Sequence, residues 1–506
     1  MLNARMKRGK FYVFHALYVA PEQNKKQEPL RMQKLNLSTR PLAIAALTLA
    51  IAGALVAPQA AHASAFQLKE NSAKALGRAF AGSTAAGDDA SAIVNNPAAM
   101  TLLKGNVFQA DVTGINFSTK FHGTATDAQG RPITGGNGGD AGTTIPVPAL
   151  YFATQVSDRV HLGLGLTAPF GFKTEYDSDW KGRYNAVKSD FKSYDITLSA
   201  SFDVTDDFAV GVSAIAQKTT AELTSAINYS SVGLGLIQRA AAAGQISPAV
   251  ARALLAQYSA VVPPGSDGSA KIKGDDWAYG WQVGGLWKLT ANDRIALNYR
   301  SKIKHNLEGT GNFTMPTNVT AVLSNPAVGA LLGTGQPPFT HTDGRAGFTT
   351  PSIATASFWH QDEKFGLGFA LSWTKWDSFK NLTVNYSNPN QPPTSENYSW
   401  RNSWFASVGG EYYLDDKFTL RGGVAVDSTP TYDDTRSPRV PDSTRRWLAV
   451  GLGYKATERF EINAGYAHIF VNKAHIGGVS SSTNDRLVGE NDDKGNLLSV
   501  SAKYQF

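Results

Sequence analysis

Arg300, Lys302 and Lys304 alternate with Tyr299, Ser301 and Ile303. In an extended strand that spacing puts three cations on one face. With Ile295, Leu297 and Tyr299 turned to an apolar phase, the cations share the other face. There they can hold a carboxylate head group by charge-assisted hydrogen bonds. For Lys302 and Lys304 a solvated rim meeting lipopolysaccharide or loop carboxylates is an equal reading. Catalysis finds little footing. Gly451-Leu452-Gly453-Tyr454-Lys455-Ala456 matches a dinucleotide fingerprint only as a string, inside a strand pattern with no helix after it. No HExxH, GxSxG or paired-histidine metal spacing occurs. A serine and histidine far apart in sequence would leave no motif. The absence of cysteine removes thiolate metal sites, disulfides and cysteine nucleophiles. No cofactor and no metal are expected, and the chain does not read as an enzyme.

The N-terminus gives the location. Met32 to Arg40 carries Lys34 and Arg40 with no acid, Pro41 to Ala57 is apolar, and Ala61-His62-Ala63 is a small-x-small cleavage site. That order is a signal peptide over 32–63, not a membrane span. Ala63-Ser64-Ala65 offers a second cut. Residues 1–31 fit no part of a signal and read as an extension from an upstream start, with Met32 the true initiator. The first 63 residues hold nine lysines and arginines against two acids, the whole of the +7 excess. The mature chain is therefore balanced, and nucleic acid is not an expected partner.

The rest of the chain repeats with period two. Val160, Leu162, Leu164 and Leu166 alternate with His161, Gly163, Gly165 and Thr167; Tyr194 to Phe202 and Trp277 to Val283 do the same. Short polar turns at 157–158, 205–207, 292–293, 362–364, 415–417 and 456–458 separate long loops near 119–146, 168–188, 222–270, 308–347, 387–400, 427–444 and 472–494. That alternation is the asymmetry of an outer-membrane barrel. Thirteen connections predict an all-β transmembrane barrel of fourteen antiparallel strands over 104–506. In the last segment Leu498, Val500, Ala502, Tyr504 and Phe506 face one way. The terminal Phe506 resembles the signal read by the barrel assembly machinery.

Two loops and one strand end stand out. Leu234, Ile237 and Ala241, then Val250, Leu254, Leu255 and Tyr258, predict two amphipathic helices broken at Gly244 and Pro248. Val322, Leu323, Val328, Leu331 and Leu332 form a similar stretch in the next loop. Exposed apolar helices are costly unless they dock on each other or receive an apolar guest. Ala168-Pro169-Phe170-Gly171 ends the third strand, and proline and glycine there predict a ladder break or a loop start.

A segment of small residues, 64–103, precedes the barrel. Ala73, Leu76 and Phe80 make one stripe over a helix predicted for 70–80; Asp88 or Asp89 caps a second that Pro97 stops. Neither is long enough to stand alone. Phe66-Gln67-Leu68, Gly77-Arg78-Ala79, Asp88-Asp89-Ala90 and Asn96-Pro97-Ala98 resemble the plug, or hatch, of the FadL family of outer-membrane long-chain fatty acid transporters. Thr167 to Gly171 with Thr174-Glu175-Tyr176, and Tyr299-Arg300-Ser301-Lys302, extend the resemblance. It implies passive uptake of long-chain fatty acids without energy input, capture between the two apolar loops, and lateral release through a gap at Pro169, Phe170 and Gly171. It also implies a monomer in outer-membrane lipid and lipopolysaccharide. Aromatic hydrocarbons would want the same apolar lining. An adhesin or phage receptor is the competing class, and a hydrophilic porin is opposed by the plug.

Overall fold

The computed structural model describes residues 65–323 and 338–506; the signal peptide, the extension before it, and Leu331 and Leu332 lie outside the described residues. Alternating side chains and two-sided backbone pairing produce the wall. Its passes are β1 (Asn106–Thr126), β2 (Thr144–Ser157), β3 (Val160–Thr167 and Gly171–Glu175), β4 (Lys188–Asp203), β5 (Phe208–Asn228), β6 (Asp267–Lys288) and β7 (Asp293–Arg300 and Ile303–Thr314). The chain continues through β8 (Thr342–Thr350 and Ile353–Gln361), β9 (Phe365–Thr374 and Asn381–Tyr386), β10 (Thr394–Asn397 and Ser403–Tyr413), β11 (Phe418–Asp427), β12 (Arg445–Thr457), β13 (Phe460–Val471 and Ala474–Ser480) and β14 (Arg486–Gln505). Every neighbour is antiparallel, and β14 pairs with β1 from Val107↔Gln505 to Thr126↔Arg486. The result is a closed barrel of fourteen passes with no free edge at that seam. Phe506 exchanges backbone hydrogen bonds with Asn106, at 2.9 and 3.2 Å, and leaves its ring exposed.

Outward positions carry the apolar alternation: Leu162, Leu164 and Leu166, and Trp277, Tyr279, Trp281 and Val283, are all exposed. Between Trp287 and Trp277 on β6, ten residues at about 3.4 Å each and a tilt near 45° span roughly 24 Å of height, the apolar band of such barrels. No described helix is long and apolar enough to cross a membrane, so only strands do so.

Inside the ring, residues 65–103 form α1 (Ala73–Gly77), α2 (Ala92–Asn95) and a 3₁₀ turn (Pro97–Leu102). Both helices are shorter than predicted. Ser72 caps α1 by accepting from Ala75 N–H, and Ala73, Leu76 and Phe80 are buried as the stripe required. Asp89 accepts from Ser91 N–H ahead of α2, while Asp88 serves an ion pair instead of a cap. Pro97 opens the 3₁₀ turn as it ends α2. The long loop after β5 holds α3 (Tyr229–Ala242) and α4 (Pro248–Val261), and the next holds α5 (Thr317–Leu323).

Candidate functional site

The plug meets the wall on nearly every side because glycines let its backbone approach. Gly77 lies against Gly451 of β12, where a side chain on Gly77 would sit 2.9 Å from the Gly451 Cα. A side chain at Gly211 of β5 would overlap the Pro97–Ala98 peptide, and one at Gly284 of β6 the Asn96 carboxamide. Asn96 in turn accepts from Ala98 N–H at 3.1 Å and donates to Thr84 O at 2.9 Å and Gly285 O at 3.2 Å. Its side chain thus satisfies a turn and fastens it to the wall.

An ionic network completes this anchor. Arg78 is fully buried, donates to both Asp88 oxygens at 2.7 and 3.0 Å, and stacks 4.5 Å from the Trp359 ring. Glu411 lies 3.5 Å from Arg78 and 2.9 Å from Arg421. Lys74 and Lys503 share Glu461 at 2.7 and 2.6 Å. Burial alone would raise the Asp88 carboxyl, but Arg78 and Lys74 outweigh it and hold the group well below the carboxylate range. Burial likewise disfavours the Lys74 ammonium, yet Glu461 and Asp88 keep its pKa above the usual lysine value.

The plug's first residues do something different: they close a break in the wall. The β2–β3 ladder stops at Leu150↔Leu166, so 144–149 of β2 have no described partner on β3. Between Thr167↔Asp195 and Gly171↔Lys192, three residues of β3 face two of β4, and this bulge carries Pro169. The plug backbone fills the opening from within: Gly171 N–H donates to Phe66 O at 2.9 Å and Leu68 N–H to Pro169 O at 2.8 Å. Outside the gap, Glu175 N–H bonds Ala141 O at 2.9 Å.

Two prolines that the sequence reading passed over edge this gap. Gln155 N–H donates to Gly105 O and Phe117 N–H to Thr143 O, so odd-numbered residues of β2 address β1 and even-numbered ones face away. Pro146 and Pro148 are even-numbered. They remove the two donors that would otherwise invite β3, as proline does on edge strands. The signal was the Pro-x-Pro spacing in an otherwise strand-like segment.

Phe66 sits in an aromatic cage, with ring centroids 4.8 Å from Trp376, 5.1 Å from Phe191, 5.4 Å from Trp400 and 6.2 Å from Phe170. A cavity of about 100 Å³ beside it is lined by Leu68, Ile115, Ile145, Phe172, Val440 and others at the gap. A second of similar size, under Pro169, is lined by Lys69, Gln282, Asn298 and Arg300. Arg300 is buried and donates to Asp195 at 2.6 Å, leaving its Nε without a partner. Lys69 has no carboxylate within 4 Å among the described residues; its ammonium lies 4.6 Å from the Phe405 ring, and burial lowers its pKa.

Lys302 is not beside Arg300. Ser301 and Lys302 interrupt β7; Ser301 N–H donates to Trp281 O, and its hydroxyl oxygen accepts from Trp281 N–H. Beyond this interruption Ile303 and His305 are buried, while Lys302 and Lys304 are exposed on the outer face. The interruption shifts the alternation by one residue and so reverses which side chains face the lumen. The shared lumenal face expected for the three cations holds for Arg300 alone.

The loop helices also differ from expectation. Leu234 and Ile237 of α3 are buried against Ala251 and Tyr258 of α4, with Leu254, Leu255 and Val322 half-buried around the same core. Tyr258 OH donates to Tyr229 O at 2.6 Å across this hairpin. The large outer cavity, about 700 Å³, lies on the other side of α3 and is lined by Val232, Leu236, Ile272, Phe313 and Phe339. Leu323 ends α5. Arg439 lines both this cavity and the one at the gap, and donates to Glu396 at 2.6 Å.

Residues 53–506 match the family model described as Outer membrane protein transport protein (OMPP1/FadL/TodX). The chain is 28% identical over 472 residues to Outer membrane protein P1 of Haemophilus influenzae, covering 89% of this chain and 97% of that protein. It is 28% identical over 434 residues to the Long-chain fatty acid transport protein of Escherichia coli K12, covering 83% and 91%. The crystal structure of a Pseudomonas aeruginosa FadL homologue superposes with a TM-score of 0.77 at 29% identity, covering 88% of this chain and 100% of that one. Plug, wall and match run over one continuous stretch: the chain belongs to the OMPP1/FadL/TodX family of transport proteins in the Gram-negative outer membrane.

Proposed function

We propose that the protein is a passive uptake channel for hydrophobic compounds, most specifically long-chain fatty acids, released sideways into the bilayer. The observation that carries this reading is the edge of β2 over 144–149 that has no described partner on β3, marked by Pro146 and Pro148 and stoppered by Phe66 to Leu68. An apolar solute gains nothing from the periplasm. Leaving between strands keeps its surface out of water, at about 25 cal/mol for each Å². The ligand enters at the face of α3 that carries Val232 and Leu236, passes the Arg439–Glu396 pair, and displaces Phe66 from its cage. The anchored body of the plug stays in place and blocks hydrophilic solutes.

A carboxylate head group is favoured over a bare hydrocarbon by two cations on one buried cavity: Arg300, whose Nε has no partner, and Lys69, with no carboxylate within 4 Å among the described residues. The Escherichia coli relative's name points the same way. The test is uptake of oleate and of toluene by cells carrying the wild type, a ladder-restored variant (Pro146→Thr, Pro148→Thr, Gly171→Val) or Lys69→Met. Ladder restoration is expected to abolish oleate uptake without leakage of a hydrophilic antibiotic; normal transport would rule out lateral exit. Lys69→Met is expected to weaken oleate binding about tenfold, roughly 1.4 kcal/mol, and to spare toluene. Uptake of toluene alone would replace fatty acids by aromatic hydrocarbons as the cargo.

A further inference from the structure

We propose that the outward face of β4 to β7, at the top of the aromatic girdle, binds the phosphates of an outer-leaflet glycolipid. On β6 the girdle residues Trp281, Tyr279 and Trp277 are followed outward by Asp275, Lys273 and Lys271, all exposed. Lys188 of β4 and Lys271 and Lys273 of β6 converge on one carboxylate, Glu222 of β5, at 3.3, 3.2 and 2.8 Å. Three ammonium groups on one acid leave an excess of positive charge. Lys271 and Lys273 remain about half exposed while Glu222 is mostly covered.

Nearby acids do not cancel this excess. Asp190 is held by Lys192 at 3.1 Å, Asp275 pairs with Lys218, and Glu308 with Arg345 at 3.2 Å. Lys302 and Lys304, which the interruption in β7 turns outward, have no carboxylate within 4 Å among the described residues. Ser301 is bonded to Trp281, so Lys302 emerges within the girdle itself. A lysine on the lipid face costs about 2–4 kcal/mol at the midplane and falls toward zero only near the interface. Its stem can lie along Tyr299 and Trp281 while the ammonium reaches up to the head-group layer.

That layer fixes the partner's chemistry. In the outer leaflet it is a glycolipid whose phosphates stand just above the acyl chains, at the height of Lys271 and Lys273 and above Lys302 and Lys304, whose stems extend up toward them. Phosphate oxygens accept charge-assisted hydrogen bonds from several ammonium groups at once. On the opposite wall Lys473, His475 and His122 face Glu490 and Asp492 at salt-bridge distance, beside the exposed Lys120 and Lys494, and no three lysines there converge on one carboxylate among the described residues. The proposed site is centred on Glu222, on the side of the barrel carrying β5 and β6.

The experiment is titration of the purified full-length protein in mild detergent with diphosphoryl lipid A, read by native mass spectrometry. Lys271→Gln with Lys273→Gln, and separately Lys302→Gln with Lys304→Gln, are each expected to weaken binding about tenfold. Lys473→Gln should leave it unchanged, and the Lys→Arg versions of both pairs should restore it. These side chains are exposed, and heat-modifiability on gels checks that each barrel is intact. Lipid A stripped of phosphate is expected to bind at least about tenfold more weakly. Equal binding by the glutamine variants or by dephosphorylated lipid A overturns the proposal. Loss of binding on adding EDTA does so as well, since it would mean a cation bridging the acids. Full displacement by millimolar inorganic phosphate would mark a free-anion site instead.

Discussion

The plug contains two regions held by opposite means. Its body, from Ser72 to Leu103, is fastened by buried ion pairs, by the Asn96 carboxamide and by glycine-to-backbone contact. Its first residues, Ala65 to Glu70, are held by two backbone hydrogen bonds to the bulge in β3, by the Phe66 cage, by Asp442 and Arg445 on the Ala65 backbone, and by hydroxyl bonds from Thr374 to Gln67 and Thr113 to Glu70 O. Charge follows the same division. Asp88 and Lys74 are held ionised against burial by near partners. Burial instead raises Glu70, one of whose oxygens has no partner, and lowers Lys69. A satisfied network fixes its segment; desolvated charges loosen theirs. The gating proposed above would therefore need movement of the first few residues only.

The largest effect is expected at the anchor. Arg78→Ala leaves Asp88 with only Lys74, 3.8 Å away, while Glu411 keeps Arg421 at 2.9 Å; removing the main partner from a buried pair costs up to about 3–5 kcal/mol. Combined with Gly284→Val, it is expected to unseat the body and raise uptake of a hydrophilic antibiotic about tenfold or more. An unchanged antibiotic susceptibility would show that the body is not the seal.

Next in size is Phe66→Ala, which empties an aromatic cage and costs about 3 kcal/mol. Hydrogen exchange at the Gly171 and Leu68 amides should then accelerate roughly 100-fold. The Ala98 amide, in the body, should not change. Equal acceleration at both would merge the two regions.

The pH dependence sharpens the division. Glu70 binds its proton more tightly docked than free, so docking is strongest below its free pKa and weakens as pH rises through the docked value. Asp88 behaves oppositely: its stabilisation is present above the free pKa and is lost only in stronger acid, through the depressed value. As pH rises above the free glutamate value of about 4.3, Leu68 protection should fall after correction for intrinsic exchange. Ala98 protection should hold. Glu70→Gln should flatten the Leu68 profile.

The smallest effect is expected at the loops. Val232→Asp with Leu236→Asp lines the outer cavity with charge and should weaken oleate capture several-fold. Leu254→Asp alone disturbs the helix hairpin beyond that cavity and should matter less, by about 1 kcal/mol or under at a half-buried site. The reverse order would return capture to the far face of the hairpin.

Wall and plug were legible because each leaves a local trace. Period two along Val160 to Leu166, short turns alternating with long loops, and Asn96-Pro97-Ala98 after small residues are all read within one segment. The Arg300 site was only half legible. Its lumenal position follows from alternation, but its neighbour Lys69 lies more than 200 positions away, and nothing local links them. The face of α3 turned to the cavity was not legible at all. Both sides of that helix carry apolar residues, Leu234 and Ile237 on one and Val232 and Leu236 on the other, and either could meet its partner.

The sequence by itself determined a closed, fourteen-pass barrel with a small-residue plug, because backbone satisfaction in a bilayer and alternation on a two-faced wall admit few other solutions. Tertiary structure alone decided where the wall fails to close and which cations face inward. One interruption at Ser301–Lys302 sends Lys302 and Lys304 outward, and one bulge at Pro169 frees the edge of β2. Register is a property of strand pairs, so a slip of one residue leaves composition untouched and exchanges every side chain beyond it between lumen and lipid.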